Sequence, residues 1–356
     1  DIEVNANSQN YAKWAENAPE YEWTAIGQVS NGYLTGTFDG NGKTIKGIYS
    51  GDGWKALFWA VGGNGVIKDL TLENSYIHSK GGWTAGITVL LQGGADSDAI
   101  VENVHLKNSI IAHEGGQNYC AGIVGWAQGD NNIVRNCTSD ATILMTVKNG
   151  KFAAGIVGDA QNVLIENCAN TGSVTGMNGA GGIVGVGKGN VTIKNCYNLG
   201  DITGNKYVGG LIGQFEAVGC TVENSFSAAK VSAIEGSTAA EIGAVFGHMP
   251  QGNIVSENSI KNVYFDKTVA GDTKAIGDDK DNQTKNIAAL ETAKMQGMDA
   301  VKTMKLDEKI FTAQEKDYPV FAYTLSKPAD DGGNNGGSQT PGNDGNGRNQ
   351  NTPESP

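Results

Sequence analysis

Basic residues are scarce in this chain, and they do not cluster. Lysine and arginine number 26 against 38 aspartates and glutamates, for a net charge of −12. Nucleic-acid binding needs a concentrated basic face, and docking on anionic lipid needs a polybasic segment; both are excluded. No apolar run approaches the about eighteen residues that cross a bilayer, so no membrane insertion is expected of this segment. Cysteines number five, an odd count, and three of them (Cys137, Cys168, Cys196) occupy one position of a repeat. That is not the layout of a disulfide framework. A His-Glu-x-x-His helix is missing, and with it the machinery of the zinc peptidases that use it. The chain starts at Asp1 without a charged-then-apolar leader, so either a signal has been removed or it lies outside this sequence, and the species expected is a mature form without signal peptide.

What the chain has in abundance is glycine, 52 residues of it, set among Val, Ile, Thr and Asn. That mixture favours short strands joined by tight turns. The order repeats: YCAGIVG…VRNC, FAAGIVG…IENC, GAGGIVG…IKNC and YVGGLIG…VENS recur at roughly thirty-residue spacing. A period in this range marks a solenoid in which each block is one turn.

Aligning the blocks on one polar corner places Asp69, Asn103, Asn136, Asn167, Asn195, Asn224 and Asn258 in a column, at intervals of 28 to 34 residues. Asparagine tolerates the left-handed conformation of a sharp corner, and stacked side-chain amides can bond to one another. The preceding position reads Lys68, Glu102, Arg135, Glu166, Lys194, Glu223, Glu257, alternating in sign as far as Glu223. In parallel strands stacked about 4.8 Å apart, such a column sets opposite charges side by side. The following position reads Leu70, Val104, Cys137, Cys168, Cys196, Ser225, Ser259 and is expected to point inward, which makes the thiols small core residues. A third strand, as in Gly172-Ser-Val-Thr175 and Gly200-Asp-Ile-Thr203, completes three strands per turn. The fold expected is all-β, a right-handed parallel β-helix.

The Gly-apolar-apolar-Gly segments (122–125, 155–158, 182–185, 210–213) carry the candidate binding residues. Read as one continuous strand, alternation turns Ile123, Ile156, Ile183 and Leu211 inward. It also turns inward the aromatic column Trp54, Trp83, Tyr119, Phe152 and Tyr207, which is interrupted by Gly179. The column Lys55, Thr84, Cys120, Ala153, Ala180, Val208, Glu241 then faces solvent. So do Val124, Val157, Val184 and Ile212, as an apolar stripe, unless the next glycine makes a bulge. The five aromatic residues are thus expected as a stacked core or corner ladder. The competing reading makes Trp54, Trp83, Tyr119, Phe152 and Tyr207 a ligand-binding strip for sugars.

The divisions expected are an N-terminal cap (1–35), the repeat body (36–266), a C-terminal capping module (267–325) and a linker (326–356). The first cap includes a short helix over Tyr11–Ala18, and the second includes helices at Ala288–Gly297 and Asp299–Met304 and a closing strand at 318–321 that lids the last coil. After Leu325 no aromatic or large aliphatic residue remains, so the linker cannot bury enough surface to fold. It reads as a flexible connector to another part.

These motifs resemble the GLUG-repeat proteins of bacterial cell surfaces. The resemblance covers roughly residues 23 to 323. It rests on WTAIG (23–27), GTFDGNGKTIKGI (36–48), ALFWAVGGNGVIKDLTLENSYI (56–77), the GIVG/NCxNxGxVTG units, and the closing NVYFDKTVAG (262–271), LETAKMQG (290–297) and DYPVF (317–321). The literal Gly-Leu-x-Gly is best kept at residues 210–213. Such repeats occur in adhesin-like surface proteins and in non-catalytic regions of some immunoglobulin-A-cleaving metallopeptidases. The resemblance therefore implies an extracellular, cell-surface, non-catalytic protein that presents its wall to a host glycan or matrix protein. No catalytic residue, metal ligand or cofactor is expected. His78 and His113, on neighbouring turns beside Glu114, read as rim-loop histidines. The turns Asp39-Gly-Asn41-Gly42 and Gly129-Asp-Asn-Asn132 are explained by turn chemistry without calcium. The alternatives carried forward are a carbohydrate-active β-helix, which requires clustered carboxylates in a groove, and an accessory region of a larger surface protease.

Overall fold

The computed structural model describes residues 1–27, 32–116, 118–216, 219–237, 241–249, 259–280 and 282–325. The linker expected over 326–356 lies outside them, as do Glu257 and Asn258. The chain is a parallel β-solenoid of about seven turns, 51% strand and 8% helix. Its strands stack into a broad wall of 19, a second wall of seven and a third of six.

One turn shows how residue type sets each element. Phe152–Ala154 lies in the six-strand wall, Val157–Glu166 in the broad wall, and Val174–Gly176 in the seven-strand wall. Between the broad-wall strand and Ala169–Asn170, Asn167 turns the corner at φ 53°. Every described member of that column from Asp69 to Asn224 has φ between 48° and 54°. The corner amides form a ladder along the stack, Asn136 accepting from Asn167 at 2.9 Å and Asn167 from Asn195 at 3.0 Å.

The charge column is longer and more regular than the sequence reading gave it. Glu223 pairs with Lys261, and Asn262 (φ 51°) donates to Asn224 at 2.9 Å. The last corner is therefore Asn262 rather than Asn258, and Val263, not Ser259, stacks on Ser225. The loop into this turn is four residues longer than the repeat implied, and Ile260 supplies the apolar residue that Val222 needs above it. With Asp39 paired to Lys68 at the front, the column alternates from Asp39 to Lys261 without a break.

Strand parity was misjudged at the Gly-apolar-apolar-Gly segments, because each is a corner and not one strand. Tyr119–Ala121 ends the six-strand-wall segment, and Val124–Gly129 begins anew in the broad wall. Alternation restarts after the bend. Ile123 and Val124 both enter the core from its two sides, as do Ile156 with Val157, Ile183 with Val184, and Leu211 with Ile212. No outward valine stripe exists at these positions. Cys120, Ala153, Ala180 and Val208 are core residues and not solvent-facing. The aromatic column, placed one position earlier, faces outward.

At the ends the chain extends the stack. Ile2–Glu3 pairs with Ile45–Lys46, and the helix near the front is a 3-10 helix at Ser8–Lys13, displaced from the Tyr11–Ala18 expected. Beyond residue 266, Ile276–Asp279 and Ile287–Leu290 add a further partial turn in register, so Ala288–Leu290 is strand and only Thr292–Met295 is helical. The remainder, closed by the antiparallel pair Phe311–Thr312 and Val320–Phe321, lies along the outer side of the stack and does not lid its end. It covers the outward aromatics Tyr197, Phe226 and Tyr264, and the Tyr323 hydroxyl reaches back to the Asn167 carbonyl at 3.4 Å.

Candidate functional site

Where the six-strand wall meets the broad wall, outward side chains from the two walls touch each other outside the core. Trp126 of the broad wall lies edge-on to Trp83 with ring centres 4.6 Å apart, and 6.3 Å from Tyr119. Tyr119, Phe152 and Val186 form a cluster separate from the solenoid core. The two walls therefore make a re-entrant angle, a trough parallel to the solenoid axis.

Three columns line it. The first bank is the aromatic column. Trp54 stacks on Trp83 at 4.4 Å, Trp83 is tilted against Tyr119 at 5.6 Å, and Tyr119 stacks on Phe152 at 6.1 Å. The interruption at Gly179 has a steric reason: a side chain there would lie 2.5 Å from the Phe152 ring, which leans over it. Tyr207 continues the bank one turn later, paired with Gly179, and Glu241 follows it in register, one place from where the repeat had put it. The trough floor reads Ala60, Leu90, Trp126, Asp159, Val186, Gln214, His248, Asp278. The far bank carries Gln92, Gln128, Gln161, Lys188 and Glu216, each two residues beyond a floor position. Gln128 donates to Gln92 at 2.9 Å, and Tyr33, whose ring sits over Gly62, donates to the same oxygen at 3.0 Å. Trp59, between Tyr33 (6.1 Å) and Trp54 (5.4 Å), completes a stacked series open to solvent at Tyr33 and Trp54.

All five residues singled out from the sequence thus belong to one feature, a ladder at the corner between two walls and outside the solenoid core. Tyr119 and Phe152 are each 6% exposed, whereas Trp54 is 38% exposed. Sequence reasoning missed Tyr33, Trp59, Trp126 and the glutamine bank. For Trp126 and the glutamines the signal was the position just after each second glycine and two residues further on, legible only once the corner is recognised; Trp59 stands in the place of that second glycine.

Electrostatically the trough changes along its length. Its first turns are aromatic and amide. At the fourth turn Asp159, 1% exposed, accepts from Lys188 at 2.7 Å, and Glu216 lies 3.6 Å from the same ammonium. Lys188 also sits over the rings of Tyr119 and Phe152 at 5.9 and 5.8 Å. Burial, reinforced by the Asp159 carboxylate, holds the Tyr119 hydroxyl well above the ordinary tyrosine range, so it stays protonated. Two buried polar atoms in this neighbourhood have no hydrogen-bond partner among the described residues: Trp59 Nε1 and Asp159 Oδ1. Such atoms are costly unless something completes them.

Further along, Glu241, His248 and Asp278 bring one donor atom each within 4.8 Å of one another, and His248 packs on Tyr207 at 4.5 Å. Among the described residues this is the one set with the donors for a metal ion. Its atoms are engaged with each other: His248 Nδ1 contacts Glu241 and lies 3.2 Å from Asp278, which Lys280 also pairs at 2.9 Å. The two turns considered for calcium use their oxygens internally. Asp39 accepts from the Asn41 amide at 2.8 Å, and Asp130 accepts from Asn162 at 2.9 Å. His78 and His113 are on strands of the seven-strand wall and not in rim loops, and His113 is fully buried beside Thr84.

No family model matches this chain, and no curated protein matches it. Among solved structures it is similar to a protein of Bacteroides ovatus described as a "putative immunoglobulin A1 protease". The two share 21% identity and a TM-score of 0.57, over 86% of this chain and 83% of the other. That likeness is one of fold.

Proposed function

We propose that the chain is a non-catalytic binding solenoid of a bacterial cell surface, adhesin- or stalk-like, which holds a host or matrix glycan in its aromatic trough. The observation that carries this reading is the outward aromatic column. A soluble fold gains little by stacking Trp54, Trp83 and Trp126 outside its core, whereas flat apolar faces beside amides suit the alternating C–H and hydroxyl faces of sugars. The repeat motifs that resemble GLUG-repeat surface proteins, and the secreted form expected from them, support display outside the cell. The acidic chain fits the same setting. A glycan array probed with the chain and with a Trp54→Ala/Trp83→Ala variant tests it. Selective binding that the variant loses is expected; equal signals from both, or none, would reject the trough as the binding surface.

A second reading has a specific observation behind it. Asp159 and Glu216 flank Lys188 inside the trough, the clustered carboxylates that a carbohydrate-active β-helix requires. Release of new reducing ends from a polysaccharide, abolished by Asp159→Asn, would move the protein into that class. The third reading, an accessory region of a larger surface protease, draws on the name of the structurally similar protein and is decided by the encoded sequence after Pro356.

A further inference from the structure

We propose that Lys188 and Asp159 become joined by an intramolecular amide bond, a covalent staple between neighbouring turns that the fold makes for itself with Glu216 as proton carrier. The proposal is independent of any sugar. Asp159 lies in the broad-wall strand Val157–Glu166, and Lys188 in the strand stacked on it, Val184–Lys194. Register pairs Asp159 with Val186, so Lys188 reaches it diagonally from two residues further on. The Lys188 Nζ meets Asp159 Oδ2 at 2.7 Å. Glu216, whose amide donates to the Gly187 carbonyl at 2.9 Å, stands 3.6 Å from the same Nζ. An amine, a carboxyl group and a second carboxylate thus converge at one point from three successive turns.

As a plain ion pair this arrangement is poor. Asp159 is 1% exposed, its Oδ1 has no partner among the described residues, and the ammonium it pairs with is shared with Glu216. The desolvation of a carboxylate so buried is poorly offset by a shared cation. Tyr119 and Phe152, each 6% exposed, close the site from the bank side, and Lys188 lies over both rings at 5.9 and 5.8 Å. Closure of this kind keeps out the water that would hydrate the pair and reverse a condensation. Holding an amine against a carboxyl group in one fixed geometry is worth an effective concentration of about 10⁵ M or more.

The step balances without an outside reagent. Glu216 removes a proton from the Lys188 ammonium and relays it to the Asp159 carboxylate, leaving a neutral amine beside a neutral acid. The Nζ lone pair attacks Asp159 Cγ, and the N–C bond forms. Glu216 then carries a second proton from the nitrogen to the hydroxyl oxygen, which departs as water when the C–O bond breaks. Ammonium and carboxylate have become a secondary amide and one water, and Glu216 is again a carboxylate. The open sides of Lys188 and Glu216, 29% and 38% exposed, give that water a way out. The product carries no charge, so the unpartnered oxygen at Asp159 becomes less costly to bury. Once the bond is made Asp159 is no longer a carboxylate, and a hydrolytic role for it is excluded.

Mass spectrometry of the folded, purified full chain tests this directly. Its intact mass should fall below the sequence mass by one water, about 18 Da. Trypsin should fail to cut after Lys188, so that Asp159 and Lys188 stay together in a single 152–194 peptide, lighter by the same amount. Lys188→Arg keeps a cation beside Asp159 but offers no amine, and should restore the full mass. Glu216→Gln should leave most of the chain unlinked. Circular dichroism confirms that both variants fold. Full sequence mass in the parent, with ordinary cleavage after Lys188, would overturn the proposal. So would a water lost from a peptide still cut at Lys188, the mark of a cyclic imide at Asp159. Complete linkage in Glu216→Gln would overturn the part given to Glu216 and leave the bond itself standing.

Discussion

Glu166 stands between Arg135 on the preceding turn and Lys194 on the next, its carboxylate 3.6 Å from the lysine ammonium. Replacing it with lysine lines up three cations, and exposed like charges at this spacing repel modestly. Glu166→Lys should therefore lower unfolding stability by about 1 kcal/mol. Urea titration at low and high salt checks it, since a charge effect shrinks with screening and a packing defect does not. The buried thiols give a second residue-level expectation. All five cysteines are buried, and burial pushes the thiol of Cys220 up to about 12 and those of Cys120 and Cys168 higher. A thiol reagent at neutral pH should label none in the folded protein and all five after denaturation. His113 is held neutral, its ring kept below the ordinary histidine range by burial. The unfolded chain takes up a proton at this ring below about pH 6.5 while the folded one refuses it, so stability falls as pH falls through that window. A His113→Leu variant should lose less stability than the parent between pH 7.5 and 5.5, read from urea midpoints. At this scale the sequence was highly legible. Alternating charge, corner asparagine and core thiol are properties of single positions, and the repeat exposes them. The error at Glu257 and Asn258 arose because two candidate corner asparagines lie four residues apart, and only pairing with Val222 and Ser225 chooses between them.

Elements were harder to read, because a corner and a continuous strand share one pattern of apolar residues. In Gly122-Ile-Val-Gly125 the bend lets two consecutive residues enter the core, and a reading by strict alternation put Val124 and the aromatic column on the wrong sides. Glycine at the second place of the Gly-apolar-apolar-Gly segments signals the close approach that makes the trough. A side chain at Gly185 would lie 2.9 Å from Phe152 Cβ, so Gly185→Val should force the walls apart and destabilise the fold. The C-terminal strap shows the opposite difficulty. Its short helices and strands were visible, but its destination was set by Tyr197, Phe226 and Tyr264, whose outward direction follows from simple alternation after the inward Cys196, Ser225 and Val263. Phe321 is fully buried against Tyr197, Phe311 and Tyr323, in a cluster distinct from the solenoid core. Phe321→Ala removes about 3–5 kcal/mol of local packing. The strap should loosen before the solenoid does, with faster amide exchange over 292–325 and new binding of a hydrophobic dye.

For the whole molecule, a stack of parallel turns provides length, a continuous core and long side faces, but no closed pocket. Function then has to reside on a face, and one outer face is aromatic, partly open and polar at its edge. The sequence could supply the solenoid and the five aromatic residues; it could not supply the trough, which exists only where two walls meet. The central claim is that these rings form an outward binding surface for sugar. It is tested most directly by following tryptophan emission while neutral oligosaccharides are added to the parent chain and to Trp54→Ala/Trp83→Ala. A saturable shift in the parent, absent in a variant of unchanged melting temperature, is the result predicted. Emission that stays constant in the parent across the whole series would contradict it.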